Sequence, residues 1–255
     1  MPDSAALRAL APQVHEALDA ALATVTWVSG FDFPDSALDI PLFALDDPVN
    51  GGTGPARYPI DGGVGVLATT GLGFPLGEFE SFVSRPRSLR PDAAARAVLR
   101  GTKAAMTGPL ARNALAHQGL HPLARGAARR AGLHADERNP QRVVVIRAVE
   151  LVHALEEASA LIERYEQPKV ARIAVSPHAG RGAAAAEGPS GLVYHRYDLR
   201  ADGTVTAARL VGAAELNRGT VELYLRRAVR AALRRDPSLD ETQMTELCAR
   251  LADDY

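Results

Sequence analysis

The segment from Asn139 to Tyr165, NPQRVVVIRAVELVHALEEASALIERY, constrains this chain more than any other. Asparagine followed by proline is a helix start: a side chain that caps orphan amides, then a residue whose φ is already helical. Val144, Val145, Val149, Val152, Leu155, Leu161 and Ile162 then recur with helical period, and Pro168 bars further continuation. The spacing predicts a helix to about Tyr165 with an apolar face broad enough to sit centrally among other helices. Arg147 and Glu150, three residues apart, can pair along it. His153 lies beside the apolar stripe with no second ligand at helical spacing, so it reads as a satisfied core or boundary histidine.

The flanking text fits a mainly α fold with minor β. Leu7, Leu10, Val14, Leu18, Leu22 and Val25 predict an amphipathic helix over residues 4–28, starting or bending at Pro12 and ending on Trp27 as a core anchor. Residues 30–78 are dense in Gly, Pro and Asp, with apolar runs at Leu42–Leu45 and Val64–Leu67, which predicts turns and short strands and a surface loop at Asn50-Gly51-Gly52. From Phe79 to Arg100 the arginines at 85, 87, 90, 96 and 100 read as a solvated face and loop. Gly108-Pro109 predicts a helix entry, and residues 168–183 read as loop. Runs at 192–199 and 204–211 around Asp202-Gly203 predict a hairpin. Glu215–Arg235 predicts a helix with Val221, Leu225, Val229 and Leu233 on its apolar face, and Asp240 caps a last helix reaching about Ala252. No internal repeat or low-complexity linker divides the chain, so residues 1–255 read as one folded unit.

A net charge of −1, from 29 basic and 30 acidic residues, provides no global field for nucleic acid or an anionic membrane. No apolar run reaches membrane-spanning length and the N-terminus lacks a signal-peptide pattern, so a cytoplasmic location is expected. The only cysteine, Cys248, rules out an intrachain disulfide and a self-contained cysteine-ligated metal site. The glycine-rich stretches contain no phosphate-loop pattern.

One further stretch, Gly180–Tyr197, narrows from small residues into Glu187-Gly188-Pro189-Ser190-Gly191 and opens into LVYHRY. Such text lets backbones approach closely and then continues as a buried strand. Proline before Ser190 does not make the elbow a hydrolase nucleophile needs.

Glu187–Gly191 resembles the Glu-Ala-Pro-Arg-Gly loop of nickel-iron hydrogenase large subunits, with Ser190 at the arginine position. Gly108-Pro109-Leu110-Ala111-Arg112-Asn113, the run from Arg147 to Ala158 and Ile162–Pro168 are similar to the cytoplasmic, nicotinamide-linked and sulfhydrogenase-type branch. Trp27–Phe33 and Tyr58-Pro59 extend a weaker likeness toward the N-terminus, and 108–255 carries the stronger one. Val211–Asn217 resembles a segment in which Pro-Thr precedes the asparagine, here replaced by Ala213 and Ala214 before Asn217.

The resemblance implies a partial hydrogenase large-subunit fold. It also implies a family reaction, reversible oxidation of hydrogen with electrons passed to an iron–sulfur small subunit. The family's nickel-iron centre carries cyanide and carbon monoxide and is held by two Cys-x-x-Cys pairs. Both pairs are missing here, so no cofactor is expected in this chain and no residue is assigned as a metal ligand. The expectation is a truncated, degenerate large subunit, inactive alone. The alternative is a non-catalytic scaffold that keeps the fold. Docking to a small subunit or self-association follows from either.

Overall fold

A computed structural model describes residues 2–34, 37, 39–46, 57–59, 63–86, 95–170 and 172–252. Asn50-Gly51-Gly52, Arg87 and Arg90 fall outside these residues.

The expected break near Pro12 is present. Helix α1 (Ser4–Arg8) ends, and α2 (Ala11–Ser29) restarts with proline in its first turn, where the missing N–H costs no helical bond. Strands β1 (Phe43–Asp46), β2 (Gly65–Ala68) and β3 (Gly73–Pro75) form an antiparallel sheet in that order. A short helix α3 (Phe79–Phe82) leads to the paired strands β4 (Val83–Ser84) and β5 (Val98–Leu99). Helices α4 (Pro109–Ala116) and α5 (Pro122–Arg130) precede the long α6 (Val143–Arg164), which is entered through a single 3-10 turn at Pro140–Arg142. Asn139 caps that turn, its side-chain oxygen accepting from the Gln141 amide. Strands β6 (Gly180–Gly188), β7 (Gly191–Leu199) and β8 (Val205–Val211) make a second antiparallel sheet, and α7 (Ala213–Arg235) and α8 (Glu241–Ala252) complete the chain. The Asp202-Gly203 hairpin and the Asp240 cap are both where the sequence puts them, Asp240 accepting from the Gln243 amide at 2.8 Å.

Among the described residues the apolar side chains gather into two cores. One gathers α2, α4, α5 and α6 through Val25, Leu110, Leu120, Ala124, Ile146 and Val149. The other lies between the two larger sheets, with Phe43, Val66, Phe79, Leu99, Leu192 and Tyr194. Residues 105–107 run between them: Met106 bonds to Pro41 and Phe43 backbone beside β1, and Thr107 reaches β7.

Several expectations need correction. Trp27 is 68 % exposed, stacked edge-on against Phe31 and not in the core, because the buried face of α2 passes through Ala21, Val25 and Val28. On α6, Val144 and Leu161 face outward, while Val145, Ile146, Ala148, Val149 and Val152 are buried. Residues 180–183 are strand, not loop: the alanine run is drawn into extended backbone by continuous pairing from Gly180↔Leu199 to Gly188↔Gly191. On α7 the buried face runs through Leu216, Asn217, Thr220 and Tyr224, one residue off the expected aliphatic stripe, since the helix packs there through polar anchors. The 79–100 arginines are not merely solvated. Arg85 pairs with Glu215 and the Leu210 carbonyl, Arg96 with the Lys103 carbonyl, and Arg100 lies over the Phe82 ring.

Candidate functional site

The strands β6 and β7 are joined by the turn Pro189-Ser190, and the next residue, Gly191, has φ +128°. A side chain there would be strained, and its Cβ would lie 2.7 Å from Thr107 Cγ2 and 2.8 Å from the Gly108 nitrogen. Gly108, at φ +116°, is equally closed: its Cβ would meet the Ser190 carbonyl oxygen at 2.8 Å. The loop therefore rests backbone-on-backbone against the entry of α4. Polar side chains fasten it. Leu192 N–H donates to Thr107 Oγ1 at 3.0 Å. Asn217, from α7, accepts the Thr107 N–H at 2.8 Å, donates to the Thr107 carbonyl at 3.1 Å and reaches the Ser190 carbonyl at 3.5 Å.

Beneath the loop lies a buried charged cluster centred on Arg112, which is 4 % exposed. Its guanidinium forks onto Glu150, with Nε–Oε1 2.7 Å and Nη2–Oε2 2.9 Å. Nη1 donates to Glu187 Oε2 at 2.9 Å and to the Gly188 carbonyl at 3.0 Å. Tyr58 donates its hydroxyl to Glu150 Oε1 at 2.7 Å, and the Leu45 amide donates to Glu187 Oε1 at 2.9 Å. Three charged side chains thus tie α4, α6, β6 and β1 together. Glu150 spends itself on Arg112 and Tyr58; the expected Arg147–Glu150 pair does not form.

Burial works against the Arg112 charge, but the bonds to Glu150 outweigh it and the guanidinium is held more firmly protonated. Burial pushes the Glu187 carboxyl up, with Arg112 and the Leu45 amide only partly offsetting it. Tyr58 is raised well above its ordinary value, first by burial and then by the Glu150 charge.

A groove of about 370 Å³ opens over this cluster, with Arg112, Glu150, Glu187 and Gly188 on its floor and Pro59, Leu151, Ala154, Pro189 and Arg147 around it. A second hollow of about 570 Å³, lined by Phe31, Phe33, Pro140 and Val144 among others, lies on the other side of Arg147. Beside the groove, His153 is buried between the rings of Tyr58 and His121, with Nδ1 accepting the His121 N–H at 3.0 Å. Burial, and then the His121 charge, lower its pKa to about 4, so it stays neutral as expected for a core histidine.

Of the residues singled out from sequence, Glu187 ties the loop's start to Arg112 and Asn217 reaches its Ser190 carbonyl. Pro189 lines the groove, whereas Ser190 is exposed and contributes only its carbonyl. Ala213 is buried, Ala214 is exposed, and neither has a polar side-chain group. Arg112, Glu150, Tyr58 and Thr107 were not singled out as site residues. One signal was available: Arg112 is the only formal charge in the run Pro109–Ala116, and a lone charge in a buried helix calls for a buried partner.

No protein-family profile matches the chain, and no curated protein matches it. Solved structures do. An NAD+-reducing [NiFe]-hydrogenase superimposes with a TM-score of 0.73 at 19% identity, over 97% of this chain and 57% of that one. A [NiFeSe] hydrogenase variant from Desulfovibrio vulgaris Hildenborough gives 0.57 at 15% identity over 85% and 52%. The [NiFeSe] hydrogenase of Dm. baculatum gives 0.56 at 16% identity over 85% and 51%. The fold is thus mostly helical with small antiparallel sheets and is a partial match to the nickel-iron hydrogenase large-subunit fold. The chain spans only about half the length of the chains it matches.

The donors of this chain do not fit a nickel-iron centre. The one thiol, Cys248, is half-buried on α8, and no cluster of three or more His, Cys, Asp or Glu side chains able to hold a metal occurs among the described residues. Soft thiolates are what such a centre demands, and hard carboxylates already paired with Arg112 do not replace them.

Proposed function

We propose that this polypeptide is a degenerate nickel-iron hydrogenase large subunit that keeps the loop frame of the fold but, by itself, carries no hydrogen chemistry. The observation behind this reading is the pairing of an intact loop anchor with a single thiol. The loop at 187–191 is held by Arg112, Thr107 and Asn217, none of which requires a metal. In a site kept for redox chemistry the surrounding polar groups orient the metal ligands. Here they orient each other.

An iron–sulfur small subunit is the partner this reading implies, because the likeness is to multi-subunit hydrogenases. A scaffold role is the second reading, favoured by Ser190: its side chain makes no bond among the described residues, so the loop is shaped by its supports and not by the group facing outward. Co-expression with hydrogenase maturation factors and a small subunit, followed by a hydrogen-uptake assay with a dye acceptor, tests both. The first reading expects complex formation without turnover by this chain. Hydrogen uptake that requires this chain, absent from the small subunit and maturation factors alone, would contradict both.

A further inference from the structure

The arginines of this protein are used in different ways, and one run of them on a single helix stands apart by its spacing. Arg85, Arg96, Arg112, Arg142, Arg164, Arg181, Arg196 and Arg209 each have a carboxylate partner. Arg226, Arg227, Arg230, Arg234 and Arg235, all on the second half of α7, are exposed and have no hydrogen-bond or ion-pair partner among the described residues. At about 100° per residue, Arg226, Arg230, Arg234 and Arg227 fall within roughly a 100° arc, and the first three are one turn apart, spanning about 12 Å along the axis. Outside that arc the second half of α7 is apolar: Leu225, Val229 and Leu233 are half-buried, and α8 packs back on α7. The first half of α7 is thus fixed by its buried residues, and the second half presents a file of exposed guanidinium groups beside its half-buried aliphatic stripe.

We infer that this face docks an acidic polypeptide element, a helix with carboxylates at i, i+4 and i+8 meeting Arg226, Arg230 and Arg234. Guanidinium forks match carboxylates in two-bond geometry, and the spacing of one turn is the same on both helices. Nucleic acid fits less well. The chain as a whole carries a charge of −1, and no aromatic residue stands between 225 and 235 to stack on bases. This inference is independent of any hydrogenase role.

The test uses the full chain and fluorescence anisotropy at 50 mM salt. The probes are a labelled alanine-based helix with glutamates at i, i+4 and i+8, a second peptide with the same glutamates spread around the helix, and a labelled DNA duplex of equal charge. The aligned peptide should bind at least fivefold more tightly than the dispersed one and more tightly than DNA. Its affinity should fall about tenfold between 50 and 200 mM salt as screening tightens. Arg226→Glu/Arg230→Glu/Arg234→Glu should lose binding at least tenfold, and the matching triple glutamine variant, which keeps helix propensity, should lose it as well. Equal affinity for the two peptides, no binding to either, tighter DNA binding, or undiminished binding by the glutamine variant with native circular dichroism would each overturn the proposal.

Discussion

Replacing Arg112 with methionine removes the cation shared by the buried Glu187 carboxylate and the half-buried Glu150 carboxylate. In the native cluster Glu150 receives two guanidinium bonds and Glu187 one, and the side chain of Glu187 has no solvent exposure. Methionine fills the space but leaves both acids without a counter-charge. Breaking a buried ion pair by removing one partner typically costs about 3–5 kcal/mol. In a chain of this size each kcal/mol lowers Tm by about 2–4 °C, so a fall of roughly 10 °C is expected at pH 7. The deficit should also depend on pH. Glu187 is already pushed up by burial, and losing Arg112 pushes it further, so acidification that protonates it should recover part of the loss. Arg112→Met/Glu187→Gln should then be less damaged at neutral pH than Arg112→Met alone. Denaturant melts of the three proteins from pH 5 to 8 measure this. A single-variant loss below about 1 kcal/mol, or one that does not change with pH, would refute the view that this arginine neutralises the cluster.

The same logic extends to the loop's other supports. Asn217→Ala orphans the buried Thr107 N–H and should cost about 1–3 kcal/mol, with faster amide exchange at Leu192, whereas Ser190→Ala should change stability by less than about 0.5 kcal/mol because its side chain is exposed. For His153 the sign is set by a folded pKa lowered to about 4 from an ordinary 6.5. Its contribution is present above pH 6.5 and is lost as pH falls through 6.5 toward 4, by about 3 kcal/mol at most; pH melts of His153→Asn should lack that component. On α6, Val144 and Leu151 are 40 % and 49 % exposed, Val144 lining the hollow shared with Phe31 and Leu151 the groove over Arg112. This apolar surface should drive self-association or partner dependence, weakened by Val144→Glu/Leu151→Glu, and a wild-type monomer across a concentration series in ultracentrifugation would count against it.

What could be read from sequence was local. Asn139-Pro140, Asp202-Gly203 and Asp240 specify their caps and turns with groups a few residues apart, and each was found as expected. Burial was legible only where one element decides it. Trp27 reads as a core residue by composition, yet the phase of α2 points it outward. The strand at 180–188 has an alanine-rich sequence with little β preference of its own; its conformation comes from pairing with β7. The charged cluster was hidden for the same reason. Glu150 has a plausible partner three residues away in Arg147, but its actual partner, Arg112, is 38 residues distant and arrives only when α4 packs on α6.

The proposed loss of metal chemistry rests on a hydrogenase-like loop frame in a chain with one thiol. Metal analysis combined with infrared spectroscopy, on protein purified anaerobically after co-expression with maturation factors, tests it most directly. Nickel and iron far below one per chain and no bands from iron-bound cyanide or carbon monoxide are expected. Nickel near one per chain, together with those bands, would contradict it.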